Sequence, residues 1–113
     1  PRLVRLRGFM EERGWEERYE MIYSSDHLME LTAKGADKGT MARELKALTG
    51  CGTLLCIGDH ANDLPMLQAA DRAFAPANAI EAVRNAPGVT TVCHCLEGAV
   101  ADVVALFADA AAI

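Results

Sequence analysis

Between residues 38 and 111 the chain alternates between the 3.6-residue period of a helix and short continuous apolar runs, and few folds accommodate that alternation. Met41, Ala42, Leu45 and Leu48 share one helical face and predict a helix over residues 38–49. Thr53 to Ile57 is a short apolar run, the pattern of a strand covered on both faces. Helix signals return at 62–70, 79–86 and 97–111, and strand signals at 72–75 and 89–93. Strands joined through helices lie parallel, with the helices on the faces of the sheet. The expected class is therefore α/β with a mostly parallel sheet.

The first 33 residues read differently. Leu3, Leu6, Phe9 and Met10 fall at helical spacing and Gly14 supplies a stop, so a helix is expected over 2–13. Residues 17–24 and 27–32 alternate with the period of strands, around a turn at Ser24, Ser25 and Asp26. A helix and a strand pair thus precede the alternating region. The boundary falls near Ala33, giving units 1–33 and 34–113.

Composition narrows the function classes. The chain has 113 residues, enough for one small core, and 51% of them are apolar but only 5% aromatic. Eleven basic residues stand against 16 acidic ones, a net charge of -5, so no cationic excess exists to displace counterions from a nucleic acid. No apolar run approaches the roughly 20 residues that span a bilayer, and no secretory leader is recognisable. Cys51, Cys56, Cys93 and Cys95 in so apolar a chain point to a reducing cytoplasm rather than to a disulfide scaffold. The chain opens on Pro1 directly in a helical pattern, and is expected to be a piece of something longer. Cys93-His94-Cys95 invites a zinc reading. Structural zinc sites use wider spacing, so a strand end near a site rim is the better account.

The chemistry concentrates after the apolar run. Asp59 follows it with only Gly58 between, where ligands gather at the carboxyl ends of parallel strands and where glycine permits a sharp turn. Asp63 comes at the start of the next helix, with Asn62 between the two carboxylates and Pro65 in a first-turn position that tolerates a missing N–H. Two carboxylates this close suit a hard cation with oxygen ligands, Mg²⁺ first. A single aspartate in such a place is more often a turn or cap residue. Lys38 stands in the first turn of a predicted helix, where the macrodipole disfavours a cation unless carboxylates or a phosphate face it. Lys34 is its rival. Asn78 with Glu81 reads as a capping box.

Gly58-Asp59-x-x-Asn62-Asp63, followed by Pro65-Met66-Leu67, resembles the fourth motif of haloacid dehalogenase-type phosphatases, in particular their Cof-like subgroup. Asp37-Lys38-Gly39 resembles the helix entry that carries the family's third-motif lysine. Ala75-Pro76-Ala77-Asn78-Ala79 resembles its Asn-Ala segment, and Glu97-Gly98-Ala99-Val100 its last glycine-containing helix start. The resemblance covers residues 28–107. It implies the C-terminal half of a Rossmann-like core at 34–113, preceded at 1–33 by the last helix and strand pair of an α+β cap. It also implies a phosphatase for small phosphorylated metabolites such as sugar phosphates. In that scheme Asp59 coordinates Mg²⁺ and Asp63 assists directly or through water. Lys38 neutralises charge, and Lys38 and Asn62 meet the substrate. His60 occupies a position the family leaves variable.

The family's nucleophile belongs to an Asp-x-Asp motif, and the aspartates here, at 26, 37, 59, 63, 71, 102 and 109, contain none. The second-motif Ser or Thr is not identifiable either. The expectation is half a site, completed by the N-terminal half of the same protein, with phosphoryl transfer through an aspartyl-phosphate. The alternative is a non-catalytic module that binds phosphate, Mg²⁺ or a protein partner. P-type ion pumps carry a similar acidic string, but the Asp37-Lys38-Gly39 helix entry and the absence of a membrane-length apolar run argue against them. Neither the substrate's identity nor the oligomeric state is legible.

Overall fold

The computed structural model describes residues 2–111, with side chains to Ala108. Helix α1 (Arg2–Glu11) and a single 3-10 turn (Trp15–Glu17) lead into an antiparallel pair, β1 (Tyr19–Ser25) and β2 (Leu28–Ala33). Ser25 pairs with Leu28, so the turn is made by Asp26 and His27, one residue later than the sequence pattern placed it. Met10 of α1 and Met21 of β1 are the buried residues of this part.

The rest is a three-stranded parallel sheet in the order β3 (Leu55–Ile57), β4 (Arg72–Pro76), β5 (Val89–Val92). Helices α2 (Lys38–Thr49), α3 (Leu64–Ala69), α4 (Glu81–Arg84) and α5 (Ala99–Ala111) are interleaved with the strands. Strand β3 begins later than its apolar run because Leu54 donates its N–H to the Asp71 carboxylate, at 2.7 Å, rather than to a neighbouring strand. Helix α4 is shorter than expected. Its N-cap is Ile80, not Asn78, so the Asn78–Glu81 capping box does not form.

The two faces of the sheet are covered differently. Cys56, Ala73 and Ala75 form one face of the core with Leu67, Ala79 and Val83. Small residues on the strands let α3 and α4 approach closely, which is how so few aromatics suffice. Phe74 points to the other face and meets Phe107 of α5 edge-on, with ring centroids 6.0 Å apart. Burial also pushes the Cys56 thiol pKa up, with the Asp71 charge adding to the effect, so this cysteine is a core residue rather than a nucleophile.

Helix α2 matches its expected residues, but its apolar face does not match the expected burial. Met41, Leu45 and Leu48 are exposed, Leu48 to 83%. Val100 and Val104 of α5 are exposed as well. Among the described residues, strand β3 is an edge of the sheet, with a hydrogen-bonded neighbour on one side only.

Candidate active site

Lys38, Asp59 and Asp63 meet in a cleft of about 560 Å³ at the carboxyl end of β3, bordered also by Met66, Cys95 and the start of α5. Each reaches it for a separate local reason. Asp37 caps α2, its carboxylate accepting the Thr40 N–H at 2.8 Å, so the helix starts at Lys38 and sends that side chain toward the sheet. Asp63 closes the 3-10 turn Ala61–Asp63 and leads into α3, where Pro65 takes the first-turn place expected of it. Asp59 continues directly from the β3 ladder, in which Gly58 donates its N–H to the Phe74 carbonyl at 3.1 Å. The Asp59 carbonyl in turn accepts the Ile80 N–H at 3.0 Å.

Asp63 is the most engaged group of the cleft and is only 5% exposed. Lys38 Nζ donates to its Oδ1 at 2.5 Å. The Asp59 and His60 backbone N–H groups donate to Oδ2 at 2.9 and 3.3 Å. Burial pushes this carboxyl pKa up, but the Lys38 ammonium and the two amides outweigh it and hold it below the ordinary value. Asp63 is therefore an anion with both oxygens occupied. Asp59, by contrast, is exposed and makes no side-chain hydrogen bond among the described residues. The cleft thus pairs a free carboxylate with one already committed to the fold.

Glycines set the spacing. A Cβ on Gly58 would overlap the Asp63 side chain, with Cγ at 2.8 Å and Oδ2 at 2.9 Å. Gly58 is not among the positive-φ glycines, so room for Asp63, and not a sharp turn, is what requires glycine there. Gly39 plays the matching part between helices: a Cβ there would overlap the Pro65 carbonyl, with its carbon at 2.6 Å. The sequence reading missed this second contact. A glycine in the first turn of a helix costs about 1 kcal/mol against alanine, and that unexplained cost was the available signal.

Asn62 stands apart from the other three. It borders the adjoining groove against the strand pair, beside Ile22, Glu30 and Met41, and shares only Lys38 with the cleft. Lys34 pairs instead with Glu20 at 3.5 Å and lies away from the cleft. Cys93, His94 and Cys95 do not lie on a strand. Strand β5 ends at Val92, His94 caps a 3-10 turn (Cys95–Glu97), and Cys95 alone of the three borders the cleft.

Mg²⁺ demands six oxygen ligands and characteristically takes one or two carboxylates, filling the rest with water and phosphate oxygens. The donor set fits that habit. Asp59 offers a free carboxylate in an open cleft, and Asp63 Oδ1, which accepts only the Lys38 bond, keeps one lone pair for bound water. No group of three or more His, Cys, Asp or Glu side chains is assembled for a metal among the described residues. A complete all-protein cage is therefore not what the cleft offers.

A family model, haloacid dehalogenase-like hydrolase, matches residues 8–104. The chain belongs to that family. YxeH of Bacillus subtilis, provisionally named a phosphatase, is 38% identical over 77 residues, which cover 66% of this chain and 28% of that protein. Phosphoglycolate phosphatase 2 of Saccharolobus solfataricus is 33% identical over 76 residues, covering 66% of this chain and 33% of its own length. A haloacid dehalogenase-like hydrolase from Bacteroides thetaiotaomicron superposes with a TM-score of 0.69 at 27% identity, covering 93% of this chain and 40% of that structure. A Thermotoga maritima protein gives 0.69 at 28%, covering 91% and 39%. The chain thus spans about a third of the length of the curated relatives it matches. The haloacid dehalogenase-like hydrolase fold, with its three parallel strands, is the one expected from the motifs. No helix of the described residues is long and apolar enough to cross a membrane.

Proposed function

We propose that this chain carries the metal- and phosphate-binding half of a Mg²⁺-dependent phosphatase acting on small phosphorylated metabolites, the attacking aspartate coming from the rest of the same protein. The observation that carries the reading is the cleft itself, which the free Asp59 carboxylate and the Lys38–Asp63 pair line together at the carboxyl end of β3. The phosphatase names of the two relatives support the reaction class.

Asp59 and Asp63 would hold the Mg²⁺, Asp59 directly and Asp63 through water, because both Asp63 oxygens already accept hydrogen bonds. When bound, the metal supplies positive charge against the phosphoryl oxygens. The chain's own residues do the rest. Lys38 adds a fixed cation beside the phosphoryl group, and Asp63 holds that ammonium in place. Phosphoryl transfer depends chiefly on such positioning and charge stabilisation. The aspartate that accepts the phosphoryl, forming an aspartyl-phosphate later hydrolysed by water, lies outside these 113 residues, which contain no Asp-x-Asp. We assign Asn62 to the part of the substrate beyond the phosphate, because the groove it borders adjoins the cleft through Lys38.

Residues 1–33 are read as the end of a cap and 34–113 as half of the core. The open edge of β3 and the exposed apolar residues of α2 and α5 are the surface we assign to the remaining half. Relatives of which the match covers only 28% and 33% support an occupant from the same protein.

The test is hydrolysis of p-nitrophenyl phosphate and a panel of sugar phosphates by the longer protein. Turnover that requires Mg²⁺, stops with EDTA and is lost in Asp59→Ala is the expected result. Unchanged turnover in Asp59→Ala would refute the role given to Asp59. The 113 residues alone are expected to be inactive, and robust turnover by them would overturn the claim that the nucleophile lies elsewhere. Absence of phosphatase activity in the longer protein would favour the non-catalytic module.

A further inference from the structure

Asn78 lies outside the cleft yet ties down one of its walls. Its Oδ1 accepts the backbone N–H of Cys95 at 2.9 Å, across 17 residues of sequence. The bond joins the turn after β4 to the turn after β5. Next to it, Ala77 donates its N–H to the Cys93 carbonyl at 3.1 Å, so a side-chain tie and a backbone tie form one short brace. What the brace holds is a segment that lines the cleft together with Lys38: Cys95, Gly98, and the first residues of α5, Ala99 and Val100. Gly98 takes a left-handed conformation, with φ of 90°, so the chain turns there into α5, whose body is anchored by buried Ala99 and Val103 while its approach to the cleft passes through this turn. His94 and Glu97 bond within the turn, stiffening it internally without attaching it to the sheet.

We infer that Asn78 is a positioning residue for the reaction proposed above: its amide oxygen sets the distance between the Cys95–Val100 wall and the Lys38–Asp59 wall. The inference rests on the proposed phosphatase reading for its kinetic consequence, but not for its structural one. Asn78 is exposed and caps no helix, so neither core packing nor the start of α4 accounts for the side chain. An acceptor oxygen is what the position uses.

Two variants separate the alternatives in the longer protein. Asn78→Leu keeps the size and removes the acceptor; Asn78→Asp keeps an acceptor oxygen. Asn78→Leu is expected to raise KM for p-nitrophenyl phosphate by about 2- to 10-fold, the range for one net hydrogen bond, with a smaller fall in kcat. Asn78→Asp is expected to recover most of the loss. Amide hydrogen exchange supplies a readout independent of turnover, with the Cys95 N–H exchanging faster in Asn78→Leu and near the native rate in Asn78→Asp. Unchanged exchange at Cys95 in Asn78→Leu overturns the brace. Faster exchange with unchanged KM and kcat overturns its role in positioning. Wild-type protein without phosphatase activity defeats the functional reading while leaving the exchange result to decide the brace.

Discussion

Lys38 Nζ sits 2.5 Å from Asp63 Oδ1, bridging 25 residues of sequence and joining the first turn of α2 to the turn that opens α3. The ammonium is half exposed and the carboxylate is buried. The two partners are therefore not equivalent. Removing Asp63 strands two backbone N–H groups as well as a cation, whereas removing Lys38 leaves the carboxylate its two amides. Asp63→Ala is predicted to destabilise the fold by about 1.5–3 kcal/mol, the range for hydrogen bonds to a charged group. Lys38→Met is predicted to cost about 0–1 kcal/mol, because the Lys38 side chain is solvated and its pairing screened. Urea unfolding at pH 7 measures both. Equal losses would show that the pair, and not the amide contacts, carries the stability.

Asp71 makes another long-range carboxylate tie, accepting from Lys46 Nζ and from the Leu54 N–H, each at 2.7 Å. The Lys46 hydrogen bond first, then that of Leu54, lowers its pKa below the ordinary 3.8. A lowered folded-state pKa contributes stability that is fully present above the unfolded value and is lost as pH falls through the folded one. Asp71→Asn is therefore predicted to be less stable than wild type at neutral pH, with the gap closing as pH drops below 3.8. The gap should also shrink in high salt, since the site is exposed. Urea midpoints for both proteins at pH 7 and at progressively acidic pH provide the check. A gap that widens on acidification would reverse the assigned sign.

The glycines allow a controlled comparison of alanine substitutions. Gly58→Ala would drive a methyl into the Asp63 side chain, and Gly39→Ala would drive one into the Pro65 carbonyl. Both are predicted to destabilise by about 1–3 kcal/mol, the usual cost of overpacking, even though alanine is the better helix former at position 39. Gly52 has nothing within 4 Å of a built Cβ and no positive φ. Gly52→Ala is predicted to be neutral or to stabilise by about 0.4–1 kcal/mol through the unfolded state. Thermal unfolding of the three variants settles the order, and a destabilised Gly52→Ala would contradict it.

What was legible in the sequence followed from local periodicity. Helix α2 begins and ends where its apolar pattern says it should, and the structure shows why: Asp37 caps its start and Gly50, in a left-handed conformation, ends it. The coincidence of Lys38, Asp59 and Asp63 was legible only through the motif resemblance, since no local rule relates positions 25 residues apart. Three features were misread for a common reason. By local pattern Asn78 reads as a cap, Cys93–Cys95 as a strand end and Gly58 as a turn residue, and in each case a contact beyond that pattern decides the outcome: the Cys95 N–H, the His94-capped turn, and the Asp63 side chain. Local propensity is a weak prior wherever such contacts compete with it.

The burial of α2 was the largest departure, and it yields the prediction with the widest reach. Met41, Leu45 and Leu48 have the spacing of a core-facing stripe, yet all three are exposed. In the 113 residues alone, Leu45→Gln and Leu48→Gln should each change stability by less than about 0.5 kcal/mol, because glutamine keeps helix propensity and no buried contact is lost. In the longer protein, where we assign this face and the β3 edge to the remaining half of the core, the same substitutions bury an amide among apolar groups. Each is then predicted to cost about 1–3 kcal/mol. Urea unfolding of the 113-residue chain and of the longer protein, with and without each substitution, gives a difference that depends only on whether the stripe is covered. Losses that are equally small in both would place the covering half away from this face of α2.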